Sequence, residues 1–207
     1  MRLLAAVYGF QITRPIQIGK LAIQRISTEF DTARNLAKDL QAYNLTATVV
    51  GEALPDELRF NLEDAMCFAE HLDVIVFPAN QLSESETPSL AEMPKTLRIQ
   101  HRNSGGGEII GEDSFFPGSR QEFLIRAMEK LEDKAFCDST NFKSLLFKCI
   151  EVFRQRRPFL DITYYLLFSG LESYARASLG DFSNHASVPI CKLLRNYLIR
   201  HKAQPAP

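Results

Sequence analysis

Near the end of the chain an arginine, an asparagine and a histidine stand close together, in Arg195-Asn196-Tyr197-Leu198-Ile199-Arg200-His201. A guanidinium is charged at any ordinary pH and suits a phosphate. An imidazole exchanges protons near neutrality. No other group of residues offers as much. Cys67 and His71 are four apart on a predicted helix, hence on one face, but two ligands fall short of the three or four that zinc takes. No metal is expected. Ser169-Gly170 lacks the G-x-S-x-G setting of an activated serine. Asn103-Ser104-Gly105-Gly106-Gly107 is followed by strand-like Glu108-Ile109-Ile110, whereas a phosphate-cradling loop needs a helix there. A hairpin with a glycine-rich turn fits better, and Arg98, His101 and Arg102 beside it read as a solvated edge. No cofactor is expected.

The elements that must carry these residues fall into two parts. Residues 1–117 read as an α+β domain. Arg2–Ile12 and Ile16–Ile26 are predicted strands, the second broken by a turn or bulge at Gly19-Lys20. A helix capped by Ser27 or Thr28 runs to Tyr43, and a strand lies within Asn44–Glu52. A helix over Asp56–His71 and a short buried strand in Asp73–Pro78 follow. Gln81–Pro94 is polar and reads as a loop. Phe116-Pro117-Gly118-Ser119 is the expected boundary, and residues 118–207 read as an all-α bundle. Its helices show apolar faces at Phe123–Leu131, Phe142–Phe153 and Ile190–Leu198. Between the last two lies Phe159–Leu179, which begins apolar on every side and stops at Gly180. That pattern predicts a helix in the middle of the bundle, with one acid, Glu172, embedded in its second half.

The net charge of −1 hides an asymmetry. Residues 1–140 carry 14 Lys and Arg against 21 Asp and Glu, so −7, whereas residues 141–207 carry 10 against 4, so +6. No acid follows Asp181. Such a basic stretch meets either a phosphate or the acidic part of the chain, within one copy or across a dimer. No apolar run approaches the ~20 residues of a membrane span. Leu3–Gly9 is too short for a signal peptide with its flanks, so a cytoplasmic protein is expected. Cys67, Cys137, Cys149 and Cys191 show no paired spacing and read as reduced core thiols.

Phe142–Phe153, followed by Tyr164-Tyr165-Leu166-Leu167-Phe168-Ser169-Gly170-Leu171-Glu172-Ser173 with Tyr174-Ala175-Arg176, resembles the Apea-like branch of the HEPN superfamily. These are helical domains of prokaryotic defence and toxin proteins. Tyr8-Gly9-Phe10 and Pro15–Gly19 are similar to the β-rich segment that often precedes them. The resemblance implies a homodimer and metal-independent RNA cleavage, in which the RNA supplies its own 2′-hydroxyl nucleophile. By that likeness Arg195 is the phosphate clamp, Asn196 a positioning residue, His201 the acid/base and Glu172 the group that orients the arginine. On one helix, however, six positions put His201 about 120° round from Arg195. The family's signature also sits on a later helix than the one that follows the Leu-Glu-Ser motif. The alternative is therefore a HEPN-like region that lacks its final helices, in which Arg195 and His201 match by chance. Such a chain is a non-catalytic dimerisation or interaction module.

Overall fold

The computed structural model describes residues 2–10, 12, 14–25, 45–70, 74–77, 80–82, 118–154, 159–183, 185 and 187–202. The expected helix up to Tyr43, the glycine-rich hairpin and most of the Gln81–Pro94 segment lie outside them. Leu3–Tyr8 is apolar at every position, and such a run makes a strand only where both its faces are covered. It forms β1 (Arg2–Tyr8), shorter than the expected Arg2–Ile12 because Gly9 turns out of the strand at φ 87°. Ala5 and Val7 enter one core and Leu4, Ala6 and Tyr8 another. Burial pushes the Tyr8 phenol up to about 12.

β2 (Ile16–Ile18) and β3 (Leu21–Arg25) are two strands joined by a turn, not one bulged strand, and Gly19 takes the φ of 53° that the turn requires. β3 pairs with β4 (Leu45–Gly51), which pairs antiparallel with β1. α1 (Asp56–Glu70) leads into β5 (Ile75–Val76) and β6 (Asn80–Leu82), both paired antiparallel with β1. Gln81 and Leu82 therefore belong to a strand rather than to the expected loop. The sheet order is β2-β3-β4-β1-β5. An antiparallel sheet followed by helices makes this an α+β protein, as the hydrophobic patterning predicts.

Helices follow in the order α2 (Ser119–Glu132), α3 (Lys134–Thr140), α4 (Phe142–Arg154), α5 (Leu160–Leu179) and α6 (Ser187–Lys202). Asp133 accepts a hydrogen bond from the Phe136 N–H at 2.9 Å and so starts α3; Asn141, left-handed at φ 58°, ends it. The face predicted for α2 is real, but its partners are the sheet and α1. Leu124, Ala127, Met128 and Leu131 share one core with Val7, Ile23 and Val49 of the strands and with Leu62 and Met66 of α1. Leu146 and Ile150 of α4 join the same core. Apolar burial thus runs without a break across the boundary expected at Phe116–Ser119.

α5 and α6 lie outside that core. α5 packs on α4 at Gly170, where a β-carbon would come within 3.1 Å of Leu145 Cδ1. Gly180, at φ 61°, caps α5 as the sequence predicts, and a short link turns the chain back into α6 as a helical hairpin. α5 is not the dry centre of a bundle. Its first half is largely exposed, with Leu160 at 80%, Tyr164 at 68% and Tyr165 at 69%. The apolar stripe of α6 is also mostly uncovered beyond Ile190. Nor are the thiols all core groups: Cys67 is buried, Cys137 and Cys149 are half-buried, Cys191 is exposed, and all four are free.

Strand β5 has only two residues, and α1 secures its outer edge. Ile75 pairs inward with β1, which leaves the polar backbone of Val74 and Val76 turned the other way. Arg59 Nη1 donates to the Val76 carbonyl at 2.8 Å, and the Val76 N–H donates to Glu63 Oε2 at 3.0 Å. Cys67 Sγ accepts from the Val74 N–H at 3.1 Å. Residues 59, 63 and 67 are spaced four apart, so one face of α1 supplies all three. Glu63→Ala leaves the buried Val76 N–H without its acceptor and is expected to cost about 1–3 kcal/mol. Chemical denaturation of wild type and variant measures it.

Candidate functional site: the α5–α6 hairpin

The link between α5 and α6 is held by two clasps. In the first, Arg176 Nε donates to Glu172 Oε1 at 2.8 Å, one turn back on the same helix, while Arg176 Nη1 donates to the Ser183 carbonyl at 2.6 Å. Glu172 therefore orients an arginine, but that arginine is Arg176 rather than Arg195. In the second, Asp181 accepts from Lys192 Nζ and, at 3.0 Å, from the Ser183 N–H. The Lys192 hydrogen bond, with the Ser183 bonds behind it, holds the Asp181 carboxyl at about 2, well below its ordinary value.

A depressed carboxyl stabilises the fold above its unfolded value of ~3.9, and that contribution is lost as pH falls through the folded value. Titrated by NMR, Asp181 is expected to show a midpoint near 2. In Lys192→Ala the midpoint moves up towards ~3.9.

The remaining sequence candidates are placed as follows. Arg195 and Asn196 are exposed on α6. His201 lies on the same helix, six positions on, so its backbone is about 120° round from Arg195. A single copy thus places Arg195 and Asn196 on an open surface. Ser169 accepts from Lys148 Nζ and donates to the Leu166 carbonyl, both at 3.2 Å. Its hydroxyl belongs to the α4–α5 packing. Cys67 is occupied by Val74, and no cluster of metal-ligating side chains occurs among the described residues. No helix among the described residues is long and apolar enough to cross a membrane. Of the basic C-terminal residues, Lys143 approaches Glu57 at 3.9 Å, an exposed pair worth little.

The hairpin's apolar surface is its dominant feature. Leu160, Tyr164, Leu167 and Leu171 repeat at spacings of four, three and four, and so do Ile190, Leu194, Tyr197 and position 201. Such spacing draws one stripe along a helix. Tyr164 and Phe168 stack at 5.6 Å, which stiffens the exposed end of α5. Phe159, Ile162 and Tyr165 add to the apolar surface on the α5 side, as do Leu198 and Ile199 on α6. Summed over several faces of the two helices, at roughly half of ~150–250 Å² for each ring and less for each aliphatic chain, these groups expose on the order of 1,000 Å². One side of a standard interface buries ~800 Å².

Sequence reasoning found these residues but read their apolar character as burial within the chain. It assigned Glu172 to Arg195 and passed over the spacing of four that sets Arg176 one turn away as the signal for the clasp. Compared with known protein families, curated proteins and solved structures, the chain matches none of them. Fold and site together define an α+β protein with an open, apolar helical hairpin at its C-terminal side.

Proposed function

We propose that this chain is a non-catalytic, self-associating interaction module whose α5–α6 hairpin is covered by a second copy. The observation that carries this reading is the run of large apolar side chains left exposed along both helices of the hairpin. Four free thiols support a reducing, cytoplasmic setting. Hydrogen exchange at two protein concentrations tests the reading. Residues 160–167 and 194–199 are expected to gain protection as concentration rises, while the central strand β1 stays unchanged. Equal exchange in the hairpin across a hundredfold range of concentration contradicts it.

A second reading is metal-independent RNA binding and cleavage in a prokaryotic defence setting, as in HEPN-like proteins. Its support is the exposure of Arg195 and Asn196 on a helix that follows the last acid of the chain. On this reading a dimer brings Arg195 of one copy to His201 of the other, and Asn196 positions the phosphate. Labelled RNA incubated in the presence of a chelator is then cut by the wild type but not by Arg195→Ala or His201→Ala. Equal cleavage by all three removes this reading.

A further inference from the structure

The hairpin ends in a protruding peg. All seven residues from Leu194 to Arg200 are exposed, and four of them are Leu194, Tyr197, Leu198 and Ile199. Arg195 and Arg200 are the charged residues within this stretch, and neither makes an ion pair with a described residue. A helix end that is apolar on several sides and purely basic needs cover that is itself apolar and acidic.

The N-terminal part of the molecule contains such a cover. A cleft of about 570 Å³ opens where the β2–β3 turn and the β4–α1 link meet α2. Its floor includes Leu21, Leu58, Ile125 and Met128. Its rim carries Glu52, Glu129 and Glu132 against a single base, Lys20, which already lies 3.8 Å from Glu52. Glu129 and Glu132 are exposed and make no ion pair with a described residue. The volume falls in the ~300–1,000 Å³ range of sites that take a ligand. It has room for a few apolar side chains rather than a whole helix, as expected of a groove that takes anchor residues spaced three and four apart.

We infer that the C-terminal half of α6 from one copy seats Leu194, Tyr197 and Leu198 in the acidic-rimmed cleft of another copy, with Arg195 and Arg200 against Glu129 and Glu132. The inference rests on the reading that the chain self-associates, and it names the surface that receives the hairpin. None of the cleft's lining comes from α5 or α6. Peg and socket are therefore different surfaces of one chain, so the contact is head-to-tail unless two copies exchange pegs reciprocally. Charge sets the register, because the rim and the peg carry opposite signs.

Two doubly reversed variants test this by analytical ultracentrifugation, with circular dichroism to confirm folding: Glu129→Arg with Glu132→Arg, and Arg195→Glu with Arg200→Glu. Each alone is expected to weaken self-association at least tenfold, because its own peg and socket then carry the same sign. An equimolar mixture is expected to associate again, since each variant's peg complements the other's socket. If the wild type associates and either variant associates equally well, or if the mixture stays apart, the inference is overturned while self-association stands. A wild type that remains monomeric overturns both.

Discussion

Replacing Leu124 with Ala is expected to destabilise the whole protein by about 2–5 kcal/mol, because the side chain is fully buried and the site is walled by several elements. The size of the loss is less telling than its reach. Leu124 belongs to α2, yet its core includes Ile23 of β3, Val49 of β4 and Leu62 of α1. If burial is continuous, sheet and α2 unfold together. Denaturation followed by circular dichroism is then expected to shift in step with hydrogen exchange at the Val49 amide. Loosening confined to the helices, with exchange in β4 unchanged, would show that the chain divides at Gly118 into two cores after all.

The second large effect is expected on association. Tyr164→Asp together with Leu167→Asp places two charges on the exposed stripe of α5, where a partner's cover would strand them away from water. Self-association is expected to weaken by a hundredfold or more, which corresponds to about 2.7 kcal/mol. The fold itself should be little changed, because Tyr164 is 68% exposed and Leu167 is 38% exposed in a single copy. Unaltered association in this variant would show that the α5 stripe is not part of the contact.

These two expectations mark where the sequence was legible and where it was not. Periodicity identifies which face of a helix is apolar, and it does so correctly for α2. It does not say what that face meets. The apolar side of α2 fits a helical bundle as well as a sheet, and only the tertiary arrangement of β2, β3 and α1 decides between them. The first half of α5 shows the same limit more sharply. An apolar run states that cover is needed, whether from its own chain or from another. Reading Tyr164–Phe168 as internal assumed the first. The β5 edge was the least legible feature. Arg59, Glu63 and Cys67 lie on a helix, and nothing in their spacing announces that they meet the backbone of Val74 and Val76. Local signals fared better where their causes are local: Gly19 and Gly180 supply left-handed backbone. Glu172 was assigned to Arg195, although its partner stands one turn away at Arg176. For Arg195, Asn196 and His201 the sequence supplied residue types and spacing, while their meaning depends on whether two copies meet at α6.

Sedimentation equilibrium of the wild-type chain, from below one micromolar to about a hundred micromolar, tests self-association most directly. A module built around the open hairpin is expected to sediment above the monomer mass of 23.5 kDa at the upper concentrations and to dissociate on dilution. A monodisperse species of 23.5 kDa throughout would mean that the surface of α5 and α6 is covered by something other than a second copy.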